Sequence, residues 1–253
     1  RVYGRFAMIP MLEPSNQQEA YDMVYDGFEL SERLGYPVLL RITTRMAHSR
    51  SGVTVRPARP ENKMHCLPDG RLRFTLLPAL ARQRYKQLLA AQDLMTTTSE
   101  ESKYNRYFDG PDKKRGIITT GIAFNYLSEN YPDGFEHPVL KICQYPLPKK
   151  QIEKIASECD ELLLLEEGYP VVEEWLKGFT GKGLNVRGRL DGTLPRDGEL
   201  TPDSVGKALG KKVKCYYTIP DIVEQRPPAL CQGCGHRDMY NALNEVLKEY
   251  QEP

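Results

Sequence analysis

Long apolar runs are missing from this sequence of 253 residues. No stretch approaches the ~20 consecutive apolar residues that cross a bilayer, so no membrane helix is expected. An excess of one charge is missing too: 35 Lys and Arg stand against 34 Asp and Glu, for a net charge of +1. That balance gives no electrostatic attraction to nucleic acid or to an anionic membrane surface. Cysteine is sparse, and of the six (66, 143, 159, 215, 231, 234) only Cys231 and Cys234 are paired in spacing. The pattern fits a reduced, cytoplasmic protein with a metal or cluster option, not a disulfide scaffold. No G-x-G-x-x-G, G-K-[ST], zincin or Ser/His/Asp arrangement is present. Nor does the start resemble a secretory signal. The chain opens on Arg1 and closes at Pro253, just after one C-x-x-C pair. The expectation is an internal segment of something larger.

What is there alternates between helix and strand. Ser15 with Gln18 predicts a capping box, the helix running to Leu34 and stopping at Gly35. Pro37–Thr43 predicts a buried parallel strand, followed by a polar loop over 44–52. Residues 51–71 read as a connector. Residues 76–94 predict one strong helix with Pro78 in its first turn, and Thr96–Lys114 a surface excursion. Beyond Arg115, strands are predicted over 116–120, 139–143, 161–165 and 184–190. Helices are predicted over 122–130, 149–157 and 171–179, the last placing Trp175 on a core helix. Crossover helices between short strands argue for an α/β domain of three layers, α/β/α, with a mostly parallel sheet. Residues 191–230 read as a linker, and Met239–Tyr250 as an amphipathic helix.

Four places can carry chemistry. Arg45, His48 and Arg50 follow a strand's carboxyl end, the ligand edge of open α/β sheets. They read either as substrate or anion contacts or as a solvated loop. Thr119-Thr120-Gly121 reads as an anion cradle at a helix start or as a tight turn that needs glycine. Glu166-Glu167 point to opposite sides of an extended segment, which argues against one acid–base pair and for contact with a neighbouring domain or a helix N-terminus. Cys231 and Cys234 read as two ligands of an iron–sulfur cluster, as half of a zinc site, or as loop thiols. His236 is an additional ligand or a surface residue. The residues alone name no catalytic group.

In combination, several stretches resemble the large (alpha) subunit of indolepyruvate ferredoxin oxidoreductases. They are Glu13-Pro-Ser-Asn-Gln-Gln-Glu-Ala-Tyr-Asp22, Pro37-Val-Leu-Leu-Arg-Ile-Thr-Thr-Arg45 with His48-Ser-Arg50, and Pro78-Ala-Leu-Ala-Arg82. Glu101-Ser102 with Asn105, Gly116-Ile-Ile-Thr-Thr-Gly-Ile-Ala-Phe-Asn-Tyr126, Leu165-Glu-Glu-Gly168 and Arg226-Pro-Pro-Ala-Leu-Cys231 complete the set. The resemblance implies that residues 1–50 end a pyrimidine-binding domain, 72–205 form a transketolase C-terminal-like domain, and 231–253 begin a diphosphate-binding domain, with linkers at 51–71 and 206–230. It implies decarboxylation of an aryl 2-oxoacid on thiamine diphosphate and Mg²⁺, in anaerobes. Iron–sulfur clusters would carry electrons to ferredoxin, CoA would take up the acyl group, and a smaller beta subunit would be a partner. By the same resemblance, the glutamate that activates thiamine precedes Arg1 and the magnesium motif follows Pro253. Where the family has C-P-G-C-P-H, this chain has Cys231-Gln-Gly-Cys-Gly-His236, closer to the C-x-G-C-G of related pyruvate-type enzymes. Two further readings stand beside this one: a freestanding α/β module for a small anion or nucleotide, and a thiamine-dependent dehydrogenase or transketolase subunit that uses no ferredoxin.

Overall fold

The computed structural model describes residues 1–59, 61, 75–178, 192, 207, 220–223, 230 and 232–250. The chain divides into a unit over Arg1–Glu199 and a second over Leu200–Pro253. In the first, the described elements are α1 (Val2–Ala7), β1 (Met11–Leu12), α2 (Gln17–Leu34), β2 (Leu39–Leu40), α3 (Thr44–His48), α4 (Pro78–Ala90) and α5 (Gln92–Glu100). They continue with β3 (Arg106–Phe108), β4 (Arg115–Thr120), α6 (Ala123–Asn130), β5 (Val139–Ile142), β6 (Gln144–Tyr145), α7 (Lys149–Glu158), β7 (Glu161–Leu165) and α8 (Val171–Lys177). The second unit contributes α9 (Gly235–Leu247), capped by Cys234, with none of its residues buried.

Short apolar, β-branched runs become the central strands. They form a four-stranded sheet in the order β3-β5-β4-β7, parallel except for β3. Alternation along β4 and β5 sends side chains to both faces. Ile118, Leu140 and Ile142 pack with Ile152 and Ile155 of α7 and Val172 of α8. Ile117 and Val139 pack with Leu127 and Phe124 of α6 on the other side. Phe108, Phe124 and Phe135 close that side, with ring centroids 5.3–6.0 Å apart. Helices on both faces of a mostly parallel sheet make an α/β fold, as the alternation predicts. The strand expected over 184–190 and most of the 191–230 linker lie outside the described residues, as does the later part of the 51–71 connector.

A second, three-stranded sheet has the order β2-β1-β6, with β2 parallel and β6 antiparallel to β1. The chain therefore runs from one sheet into the other between β5 and β6, across the buried Cys143. Here pairing partners change, and Asn105 supplies the missing bonds. Its Oδ1 accepts the N–H groups of Cys143 (2.7 Å) and Gln144 (2.9 Å), while Nδ2 donates to the carbonyls of Ser99 and Gln144, each at 2.9 Å. A buried backbone group left unpaired would cost about 1–3 kcal/mol, so one amide stabilises the whole crossover.

Several sequence expectations shift. The α2 cap is Asn16, whose side chain accepts the Glu19 N–H, and Glu19 reaches back to Ser15 N at 2.9 Å. The capping box thus sits one residue later than Ser15 with Gln18. Gln18 instead bonds the backbone of Thr54. The 37–43 strand shrinks to two paired residues. The polar stretch after it is helical, because Thr43 caps α3. The 76–94 helix breaks at Ala91: α4 buries no residue, whereas α5 buries Met95 and Ser99. The supposed surface excursion over 96–114 holds the end of α5, strand β3 and the buried Tyr104 and Asn105. Its polarity misleads because Ser99 and Asn105 are polar yet satisfied inside. Trp175 is half-buried, and the core face of α8 is Val171 and Val172.

An extended segment after α3 lies along α2, held largely by charge. Arg56 reaches Asp22 at 2.8 Å and Asp26 at 2.7 Å. Asp26 also accepts from Lys103 and from the hydroxyl of Tyr104. Burial alone would raise the Asp26 pKa, but the hydrogen bonds from Arg56, Lys103 and Tyr104 outweigh it and hold the value down to about 2. A depressed carboxyl stabilises the fold fully above its free value of 3.8, and the contribution disappears as pH falls through about 2. Asp26→Asn is therefore expected to cost about 1–2 kcal/mol near neutrality and progressively less below about pH 4. Parallel melts of the two proteins across that range check it; a gap that stays constant into acid would contradict the assignment.

Candidate functional site

The carboxyl ends of β1, β2, β4 and β7 converge on one carboxylate, Glu13, which is 1% exposed. Glu13 directly follows β1, and its N–H donates to the Cys143 carbonyl at 2.7 Å. Oε2 accepts from Arg1 Nε at 2.9 Å and from the Tyr145 hydroxyl at 3.0 Å. Oε1 accepts from Arg1 Nη2 at 3.1 Å and from Arg41, just past β2. Arg1 spends its remaining donors on Glu166 (2.9 Å), Thr120 Oγ1 (3.0 Å) and the carbonyls of Glu167 and Tyr169. Glu166 in turn accepts the N–H groups of Val172 and Glu173 at 3.0 and 2.9 Å, capping α8. Two guanidinium groups and two carboxylates thus cancel, with Arg1, Glu13 and Glu166 buried and Arg41 partly exposed. Burial, reinforced by the charge of Glu13, pushes the Tyr145 phenol well above its ordinary value, so it stays a neutral donor.

This arrangement decides two sequence readings. Glu166 is bonded to a helix N-terminus, one of the roles considered for the Glu166-Glu167 pair. Gly121 is needed for a tight turn: its φ is +49°, and a Cβ there would lie 2.6 Å from Glu13 Cγ. Thr120 Oγ1 accepts from Arg1 Nη2 at 3.0 Å. Next to Glu13, Lys141 of β5 is 3% exposed and pairs with Glu19 while its ammonium lies 4.7 Å from the Phe124 ring.

The edge residues singled out in the sequence fall around this network without joining it. Arg45 lies on α3 with its guanidinium 5.5 Å from the Tyr126 ring centroid. Tyr126 bonds both Arg45 and the Glu167 side chain; partial burial and then Glu167 raise its pKa. His48, the last residue of α3, and Arg50 are exposed and meet no partner among the described residues. Cys231 lies outside the described residues. Cys234 caps α9, with Sγ 3.4 Å from His236 Nδ1. Among the described residues no three His, Cys, Asp or Glu side chains converge to hold a metal ion.

Sequence reasoning assigned no role to Glu13, Arg1, Arg41 or Tyr145. The available signal was positional: Glu13 and Arg41 are charged residues directly behind apolar strand runs, where parallel strands present their ends. Removing the charge of Glu13 leaves buried cations uncompensated, so Glu13→Gln is expected to destabilise by about 3–5 kcal/mol. Tyr145→Phe removes only one neutral donor and is expected to cost about 1 kcal/mol. Urea unfolding of the two variants checks that order; equal losses would mean the charge is not what holds the edge.

No protein-family model matches the chain. Among curated proteins it is 37% identical to the indolepyruvate oxidoreductase subunit IorA of Methanothermobacter thermautotrophicus, over 99% of this chain and 42% of that protein. The IorA of Methanothermobacter marburgensis is 36% identical over 98% of this chain and 42% of that protein, and that of Pyrococcus abyssi 34% over 97% and 41%. The chain spans about two fifths of the length of the curated relatives it matches. Along nearly its whole length, therefore, this chain resembles the IorA subunit of indolepyruvate oxidoreductases.

Proposed function

We propose that the chain is part of a thiamine-diphosphate-dependent oxidoreductase that decarboxylates aryl 2-oxoacids of the indolepyruvate kind, with CoA as acyl acceptor and ferredoxin as electron acceptor. Its own part is structural. Residues 72–205 act as a transketolase C-terminal-like assembly domain that packs beside the cofactor-binding domains and orients them. Residues 1–50 end the pyrimidine-binding domain, and 231–253 begin the diphosphate-binding domain. A smaller beta subunit completes the enzyme in the cytoplasm. The similarity to IorA supports the reaction class.

The observation that carries the structural role is the closed edge around Glu13. Every oxygen of that carboxylate and every nitrogen of the Arg1 guanidinium is bonded to protein. Thiamine diphosphate is held with Mg²⁺, and among the described residues no three His, Cys, Asp or Glu side chains converge to hold a metal ion. The cluster likewise needs more thiolates than the described Cys234. Neither group fits the described residues, and the chemistry is assigned to other parts of the enzyme. The anion-module reading loses support on the same ground: Thr120 and Glu166 are already bonded to Arg1.

Calorimetric titration of this polypeptide with thiamine diphosphate and Mg²⁺ is expected to give no saturable heat. Micromolar binding would overturn the assignment. In the full enzyme, replacing both Cys231 and Cys234 by Ser is expected to remove iron and slow ferredoxin reduction while leaving decarboxylation partly intact. Full iron content in that variant would make the pair loop thiols.

A further inference from the structure

A cavity of about 270 Å³ opens beside α1, away from the residues ranked as edge candidates. Its floor is Met11 and Tyr145, 1% and 4% exposed. Its walls are aliphatic: Met8, Ile9 and Leu147, all half-buried. The rim carries Arg5 and Lys149, both exposed. No Asp or Glu lines the cavity. Neither rim cation has a carboxylate partner among the described residues. Arg1 also borders the cavity, but its charge is cancelled by Glu13 and Glu166. Lys149 is the first residue of α7, a ten-residue helix whose first turn contains no acid of its own, and Glu100 of α5 accepts the Lys150 N–H at 3.2 Å.

An apolar floor below a cationic rim selects an amphipathic anion. We propose that this cavity binds a medium-chain aliphatic monocarboxylate, its tail among Met8, Ile9, Met11 and Leu147 and its carboxylate held by Arg5 and Lys149. An aliphatic tail is favoured over an aromatic one because the Trp175 ring, the cavity's indole, is already covered by the Arg5 guanidinium, 4.2 Å from its centroid. The remaining walls are flexible Met and branched side chains, which adapt to an alkyl chain. The cavity is smaller than the ~300 Å³ at which drug-sized sites begin, so the chain is no more than medium length. This inference does not depend on the oxidoreductase reading.

Trp175 is the only tryptophan in the sequence, so its fluorescence reports the site without a label. A carboxylate bound to the Arg5 guanidinium, 4.2 Å from the indole centroid, changes that emission. Titrating the full chain with octanoate is expected to give a saturable change, and octylammonium, with the same tail and the opposite charge, none. Lys149→Glu and Arg5→Glu are each expected to weaken octanoate about tenfold or more, the worth of one charge-assisted contact. Lys149 is exposed on the surface, where a substitution disturbs no packing, so its variant remains folded and carries the test if Arg5→Glu does not. The inference is overturned if octanoate gives no saturable change, if octylammonium binds as tightly, or if Lys149→Glu binds octanoate like the unaltered protein.

Discussion

Glu13 is a carboxylate held out of water at the meeting point of two sheets, and its charge must be answered from several directions at once. The protein supplies Arg1 from the start of the described chain, Arg41 from the end of β2 and a neutral phenol from β6. Because Arg1 also reaches Glu166, the same charge balance extends to the first turn of α8. Removing two charges from water costs several kcal/mol per ion, so such a group persists only where every lone pair is occupied. The bonding at this edge is complete in that sense. It ties three chain segments to one atom pair, and a fourth through Arg1, and links the two sheets.

The second constraint is polar burial at the crossover between β5 and β6. A strand that leaves one sheet for another must drop its ladder partners for a residue or two, and Asn105 replaces them. Ser99 and Gln144 take part in the same network. This explains why Ser99 and Asn105, within a hydrophilic stretch, are buried. It also explains why β3 pairs antiparallel on the edge of an otherwise parallel sheet: the chain must return beside β5 to deliver that amide.

How much of this was legible in the sequence follows from how far each signal reaches along the chain. The runs Arg115–Thr120 and Val139–Ile142 were readable because a strand buried on both faces is mostly apolar, and Glu161–Leu165 because four leucines in a row between polar residues mark a short strand. The stop of α2 at Gly35 was readable because a left-handed cap favours glycine, and its φ is +70°. The cap of α2 was misplaced by one residue, since Ser15 and Asn16 are chemically equivalent caps and only tertiary contacts choose between them. Lys141 bonds Glu19, and Ser15 serves Glu19 in turn, which leaves Asn16 as the cap. The Glu13 network stayed hidden for a similar reason. Its bonded side-chain pairs are separated by 12 to 165 positions, and no local period links them.

Cys143 sits where the two sheets exchange the chain, with no exposed surface, and burial pushes its thiol far above the ordinary value. Deprotonation and access are both required before a thiol reacts. Cys234, beside His236, is only half-buried and can be reached from water without any opening. The crossover therefore carries a built-in clock: a thiol reagent modifies Cys143 only during the moments when the two sheets part, so its modification rate counts those openings directly. Few seams between sheets come with a chemical reporter already placed on the single residue that joins them.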